Sequence, residues 1–458
     1  MAGDIAQRPH LGVEEVRDEL ARILGDAQVD ADDEALTRHT VDELKPLAVA
    51  RPRSARELAD VLRWSYERGL AVSPWGGGTK QGIGRPLSRL DVVVCTGGLR
   101  ALVEIDEGNL TAEVEAGLAI DELQSHLAAK GLFFALDPLE GGEATLGGII
   151  ATNASGPRRL LYRTARDQVL GLLLVLPDGR VLRTGGKTVK DVAGYNLTRP
   201  LIGSWGTLGV IAGATLRLLP IPEGSATVLA RFGDVGSACR LAMRVRGSEL
   251  LPAAIEVLSG NAWSAVAQDR RVGEETGRPC LLFGLEGHSE QVERMQRQIG
   301  TMAREEGATA VDLYTADEAV RLWGGRRRVS SALTATGDQV VRLKAAVPMA
   351  SLGGLLAAAE DLAARFALDV AYAGHAGNGL AQVFLAPRAG AGGEAVPTTI
   401  ARLREVASHM GGHVIIEVAP SVVRRTMDPF PPRDDYALMR AIRQSLNPKD
   451  TLNPGKVV

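Results

Sequence analysis

Apolar and polar positions along the chain change period several times, and the changes mark its elements. Val13, Val16, Leu20, Ile23 and Leu24 recur at helical spacing and predict one amphipathic helix, after a disordered lead-in at 1–10. A β-α-β rhythm follows. Residues 47–50 read as a strand, and a helix then starts at Ser54 with Leu58, Val61 and Leu62 on one face. Ser54 and Glu57 have the spacing of a capping box, and Gly69 ends the helix. Strands are expected at 69–73, 91–95, 102–105 and 111–115, then a helix over 120–130 closed by Gly131. Pro177-Asp178-Gly179-Arg180 joins two strands as a hairpin. Pro220 ends a strand at 214–219, and 220–224 is the strongest domain boundary.

Beyond it the units lengthen. Strands are predicted at 226–232, 254–258, 280–285, 342–347, 369–373 and 380–385, and helices at 236–246, 289–306, 351–364 and 400–410. This pattern reads as α+β: an antiparallel sheet with helices on one face.

Two glycine-rich runs interrupt the rhythm. In Pro74-Trp75-Gly76-Gly77-Gly78-Thr79-Lys80-Gln81-Gly82 three consecutive glycines follow a short strand. Their amides can converge without Cβ atoms in the way, a nest suited to phosphate or diphosphate. A Rossmann loop is excluded, because the run continues toward another strand rather than opening a helix. A P-loop is excluded, because Val181 stands where Gly186-Lys187-Thr188 needs its glycine. The second run, 137–157, is nearly free of bulky side chains, as a large flat ligand touched by main chain requires.

Composition narrows the class. A chain of 458 residues, 45% apolar and 23% charged, suits a globular protein of two or three domains. Net charge of −3 offers no basic field for nucleic acid or an anionic membrane. Cys95, Cys239 and Cys280 are widely spaced, so they form no metal motif and read as reduced, buried residues of a cytosolic protein. The start of the chain has no apolar signal region, and the longest apolar run, 169–176, is too short to span a bilayer.

Several motifs in order resemble one family. They are Pro74-Trp-Gly-Gly-Gly-Thr79, Asp137-Pro138, Thr145-Leu-Gly-Gly148, Asn153-Ala-Ser-Gly156, Leu176-Pro-Asp-Gly179, Gly203-Ser-x-Gly-Thr-Leu-Gly-Val210 and Leu452-Asn-Pro-Gly-Lys456. Together they resemble the FAD-dependent oxidoreductases of the vanillyl-alcohol-oxidase or p-cresol-methylhydroxylase (PCMH) type. Residues 187–196 and Gly374-His-Ala-Gly-Asn-Gly379 resemble, within it, the FAD-binding subunit of glycolate oxidases. The resemblance implies a helical lead-in over 1–40, a two-subdomain PCMH-type FAD domain over 41–221, an α+β cap over 222–425, and a C-terminal segment, 426–458, returning to the flavin domain.

By position, Pro74, Trp75, Gly76, Gly77, Gly78, Thr79, Lys80 and Gln81 would hold the diphosphate. Pro138, Thr145, Gly147, Gly148, Asn153, Ser155 and Gly156 would border flavin and ribitol, and Asp167, Gly209 and Val210 the remainder. The first loop has no histidine or cysteine, so FAD is expected non-covalently bound. The implied chemistry moves a hydride from substrate C2 to flavin N5 while a base takes the hydroxyl proton. The substrate carboxylate needs a cation, which arginine supplies best. Arg326, Arg327 and Arg342 are the candidates, and His375 is the candidate catalytic histidine.

The chain departs from the family at one place. Catalytic relatives carry His-x-Gly-Asp-Gly-Asn-x-His and a later Glu-His, which build a metal site. Here the residues are His375-Ala-Gly-Asn378-Gly-Leu-Ala-Gln382 and Glu417-Val418. One imidazole and one carboxylate make a poor metal site, so no metal is expected.

Two readings remain open. One is a 2-hydroxy-acid oxidoreductase, a glycolate oxidase subunit or a stand-alone dehydrogenase for another 2-hydroxy acid such as D-lactate. The other is a flavin-bearing relay or structural subunit without turnover of its own. The implied partners are a sister flavin subunit and an iron–sulfur subunit. The implied location is cytoplasmic, peripheral to the inner membrane only through those partners.

Overall fold

The computed structural model describes residues 11–139, 142–187, 194–266, 277–314, 316–334 and 339–457. The lead-in at 1–10, residues 140–141 of the second glycine run and 188–193 of the 187–196 motif lie outside the described residues. A first sheet combines β1 (Val29–Asp30), β2 (Ala48–Ala50), β3 (Val72–Trp75) and β4 (Val92–Cys95) in the order β1-β2-β4-β3. Its central strands run parallel. That is the β-α-β rhythm of the sequence, with helix Ala55–Glu67 as the crossover. Ser54 caps this helix by accepting from the Glu57 amide, while the Glu57 carboxylate turns to the Arg53 amide.

A second, antiparallel sheet holds β5 (Leu102–Asp106), β6 (Thr111–Glu115), β8 (Val169–Val175), β9 (Val181–Gly185) and β10 (Val210–Arg217), ordered β5-β6-β10-β8-β9. A short ribbon pairs β7 (Leu132–Phe133) with β11 (Leu219–Pro220). β8 and β9 form the expected hairpin.

The second half is one eight-stranded antiparallel sheet. Its strands are β12 (Gly224–Arg231), β13 (Ala254–Leu258), β14 (Cys280–Gly287), β15 (Ala310–Tyr314), β16 (Val341–Ala346), β17 (Leu368–His375), β18 (Leu380–Pro387) and β19 (His413–Val418). Their order is β15-β12-β14-β13-β17-β18-β16-β19. Strand parity sorts each strand into two faces. Val228, Ile255, Leu343, Tyr372, Val383 and Ile416 pack on one face, against helices Val235–Arg246, Ser289–Glu305, Leu352–Arg365 and Ala395–His409. Leu229, Leu258, Ala373 and Phe384 look to the other.

That second face corrects the one-sided arrangement expected from sequence. Helices Gly260–Val266 and Ala316–Thr334 cover part of it. The longer one carries Gly324-Gly325-Arg326-Arg327-Arg328, which reads as a solvated stretch. A Cβ at Gly325 would stand 2.6 Å from the Val266 carbonyl oxygen, so this glycine lets the two helices touch.

Another unanticipated helix, Leu146–Thr152, lies in the bare glycine run. Leu146, Ile149 and Ile150 are all buried at helical spacing, and their packing overrides the low propensity of Gly147 and Gly148. Cys95, Cys239 and Cys280 are free and buried, and burial pushes their thiols up, to about 11 for Cys95 and about 12 for the other two.

Candidate functional site

Two adjoining cavities meet where the first two sheets face the third. The first lies where β3 runs into the triple glycine, and encloses about 890 Å³ of space with its mouth included. Pro74, Trp75, Gly76, Gly77, Gly78, Thr79, Lys80 and Gln81 line one side; Pro138, Thr145, Gly147, Gly148, Gly209 and Val210 line the rest. The two glycine runs therefore close on one another. A Cβ at Gly77 would stand 1.8 Å from the Glu143 carbonyl oxygen, and one at Gly76 would stand 2.2 Å from Thr145 Oγ1.

The C-terminal residues complete this cavity. Leu452 bridges to Val72, Asn453 donates to the Trp205 carbonyl (2.8 Å), and Lys456 Nζ donates to the Gln81 carbonyl. Asn453 and Lys456 both line the cleft. Burial lowers Lys456 to about 8 although Asp42 opposes the shift.

The cleft fits FAD in its polar inventory. The amides of Gly77, Gly78 and Thr79 have no protein acceptor among the described residues, and Thr145 Oγ1 is buried without a partner. Unclaimed donors beside lysines are what a diphosphate requires.

The second cavity is built from side chains on the polar parity of the large sheet. Lys80, Thr152 and Trp205 line both cavities. Glu256, Arg342, Lys344, His375, Gln382 and Glu417 alternate with the apolar residues of β13, β16, β17, β18 and β19. Glu256 and Arg326 are 0% and 1% exposed, and the Arg326 Nε and Nη2 atoms lie 2.8 and 2.7 Å from Glu256 Oε2. The other Glu256 oxygen is 2.5 Å from His375 Nδ1.

Burial pushes Glu256 up, but His375 and Arg326 outweigh it and hold the carboxyl below its ordinary range. Burial pulls His375 down, Glu256 opposes, and Arg326 and Arg159 add to the lowering. Burial thus favours the neutral imidazole over the charged one. Its Nδ1–H donates to Glu256, which leaves Nε2 as the ring's acceptor.

A parallel arrangement stands two strands away. Arg342 Nε lies 3.0 Å from Glu417 Oε2, Gln382 Nε2 donates to the same oxygen (2.9 Å), and Arg342 also donates to Ser330 Oγ. Burial would raise Glu417, yet Arg342, Lys344, Lys80 and Gln382 hold it at about 2. Among the described residues no group of three or more His, Cys, Asp or Glu could hold a metal ion.

The remaining expected residues fall as follows. Ser155 lines the second cavity and accepts from Arg159 Nη1 (2.9 Å). Asn153, Gly156 and Asp167 stand outside the lining of both cavities. Asn153 ends helix Leu146–Thr152 in the left-handed conformation, φ 48°. Gly156 gives passage to the chain, since a Cβ there would stand 1.7 Å from the Asp137 carbonyl oxygen. Asp167 accepts from the amide and hydroxyl of Thr164, capping its own short helix. Arg327 turns outward to Asp121 (2.8 Å).

Sequence reasoning missed Glu256, Arg159 and Lys344. The one available signal was a charged residue inside an apolar strand, as in Ala-Ile-Glu256-Val-Leu.

Comparison with known proteins agrees with this geometry. Residues 46–185 match the FAD binding domain family, and residues 221–457 match the C-terminal domain of FAD linked oxidases. The glycolate oxidase subunit GlcD of Bacillus subtilis is 30% identical over 453 residues, covering 97% of this chain and 96% of that protein. A D-lactate dehydrogenase of Archaeoglobus fulgidus is 32% identical over 422 residues, 90% of this chain and 91% of that one. Among solved structures, p-cresol methylhydroxylase with substrate bound superposes with a TM-score of 0.76 at 16% identity, over 97% of this chain and 96% of that chain. The 4-ethylphenol oxidase from Gulosibacter chungangensis gives 0.76 at 16%, over 98% of each. These likenesses show the PCMH-type fold, and the sequence relatives together with the matched domains show that the chain belongs to the FAD-linked oxidases.

Proposed function

We propose that this chain oxidises 2-hydroxy acids with FAD, as a glycolate oxidase subunit or as a dehydrogenase for another such acid, D-lactate included. The observation that carries this reading is His375, whose Nδ1 lies 2.5 Å from the buried Glu256 carboxylate on the wall of a cavity that adjoins the glycine cleft. In this assignment 41–221 binds FAD, 222–425 forms the cap and 426–458 closes the cleft. The loop from Pro74 to Gln81 holds the diphosphate, while Pro138, Thr145, Gly147, Gly148, Gly209 and Val210 border the rest. Attachment is non-covalent, since among the described residues the cleft lining carries no histidine or cysteine.

When bound, FAD would supply the two-electron acceptor for a hydride leaving substrate C2. His375 Nε2 takes the hydroxyl proton, so a 2-hydroxy acid leaves as the 2-oxo acid. Glu256 fixes the tautomer and stabilises the imidazolium that forms. Arg326 and Arg342 supply positive charge toward the substrate carboxylate; Arg326 Nη1 is buried without a hydrogen-bond partner. Glu417, Gln382 and Arg342 brace one another, with Val418 beside Glu417 in the chain.

In the relatives' assemblies implied by the resemblance, a sister flavin subunit and an iron–sulfur subunit would receive the electrons, with the complex cytoplasmic or peripheral to the inner membrane. No helix among the described residues is long and apolar enough to cross a membrane.

The test is anaerobic addition of glycolate and D-lactate to the FAD-loaded chain, alone and with partners. Bleaching of the flavin is expected with at least one acid. His375→Gln should slow it about 10²–10⁴-fold while FAD stays bound. Absence of bleaching in every assembly would reject the reading in favour of a relay or structural subunit. The positions of Gln382 and Val418 motivate that second reading.

A further inference from the structure

Besides Lys80, which is shared with the glycine cleft, four cations stand around the second cavity, and only two of them have carboxylate partners. Arg326 is held by Glu256 and Arg342 by Glu417. Lys344 and Arg159 are left over. Lys344 projects from the same polar face of β16, opposite Gln382 in register, and lines the cavity beside His375. Arg159 reaches it from the other wall, on the short helix Arg159–Tyr162. The Arg158–Glu286 ion pair (2.8 Å) and the Tyr162 hydroxyl, donating to Glu286 (2.8 Å), fasten that helix to β14.

Among the described residues Lys344 has no hydrogen-bond or ion-pair partner, and Arg159 bonds only to the neutral Ser155 hydroxyl. Other charged groups near Lys344 are Glu417, Arg342, Lys80 and, further along β19, His413. Burial disfavours the Lys344 ammonium; Glu417 opposes this, and Arg159, Lys80 and Arg342 add to it. Burial disfavours the Arg159 cation as well.

Arg326 and Arg342 are balanced by Glu256 and Glu417, and Lys80 is shared with the glycine cleft. Lys344 and Arg159 line this cavity alone, and their two positive charges have no carboxylate partner among the described residues. One carboxylate would leave a desolvated cation behind, which is costly. A dianion would leave none.

We propose that Lys344 and Arg159 seat a second acidic group of the substrate, so that the substrate class is a 2-hydroxy dicarboxylate. The substrate assignment rests on the hydroxy-acid reading above; the two-carboxylate seat does not. Lys344 and Arg159 grip the distal carboxylate from opposite walls, while Arg326 and His375 meet the hydroxy-acid end.

Two unreactive acids of equal length separate the cases: succinate with two carboxylates and butyrate with one, titrated into the FAD-loaded chain by calorimetry. Succinate should bind at least tenfold more tightly than butyrate. Lys344→Met and Arg159→Met should each remove that preference, weakening succinate about tenfold or more and butyrate less than twofold. Lys344→Arg keeps the charge and should keep most of the preference. On the unaltered protein, succinate and not butyrate should slow acetylation of Lys344 by acetic anhydride, read by peptide mass spectrometry, so the proposal stays testable should a variant not fold.

Equal binding of the two acids, a preference that survives both Met variants, or equal protection of Lys344 would overturn the seat. The hydroxy-acid reading fails separately. If succinate binds as expected but neither malate nor lactate bleaches the flavin, the seat stands and the reaction does not.

Discussion

The two cavities share Lys80, Thr152 and Trp205, yet they are made of opposite materials. The first is backbone: glycines brought so close to neighbouring main chain that no side chain fits, with amides left facing inward. The second is side chain: ion pairs and hydrogen bonds that join residues far apart in sequence on one face of a sheet. Damage should therefore act differently in each. A Cβ in the first should end cofactor binding and spare most of the fold, whereas a lost charge in the second should act on stability and chemistry and spare the cofactor.

The largest effect is expected at Gly77. Its Cβ would meet a carbonyl oxygen, a backbone atom that cannot rotate away, so the loop must leave Glu143. Gly77→Val should purify colourless and fail to take up added FAD, with the large sheet intact by circular dichroism. A yellow protein of near-normal FAD affinity would show that the nest does not hold the diphosphate.

Next comes Arg326→Met, which strands a fully buried Glu256. Breaking one member of a buried pair costs about 3–5 kcal/mol. The denaturant midpoint should fall accordingly, while the fraction that remains folded still binds FAD. Adding Glu256→Gln should recover much of the loss, because it removes the unpaired charge. No recovery in the double variant would mean that Arg326 acts through packing alone.

The same contrast explains what could be read from the chain. The first cavity was legible because close approach leaves a written trace: a Cβ would collide at Gly76, Gly77 and Gly147, and these glycines stand in two short runs. The strands were legible by alternation; β13 runs from Ala254 to Leu258 as expected. Helix Leu146–Thr152 was not, because its apolar spacing is hidden among glycines and its stability is tertiary. Helix Ala316–Thr334 was obscured by three consecutive arginines, of which Arg326 turns inward and Arg327 outward. Glu256 lies 70 residues from Arg326 and 119 from His375, and no local pattern records such pairings. His375 and Arg326 were legible by resemblance as chemical groups, but the acid that orients both was not.

Glu417 gives the smallest and most conditional effect, and it separates the brace from the chemistry. Its carboxyl is held at about 2, against an ordinary 4.5, by Arg342 first among its neighbours. At about 1.4 kcal/mol per pH unit of displacement, the ionised form stabilises the fold by on the order of 3 kcal/mol. Because the folded value lies below the unfolded one, that contribution is complete above about pH 4.5 and drains away as pH falls toward 2. Glu417→Gln should therefore be less stable than the parent at pH 7 by a few kcal/mol, and the gap should narrow steadily once the pH drops below about 4.5. Urea titrations of both proteins at pH 7, 5 and 4 would check this. A gap that stays constant or widens toward acid would mean that packing of the side chain, and not its charge on Arg342, supports the sheet at this edge.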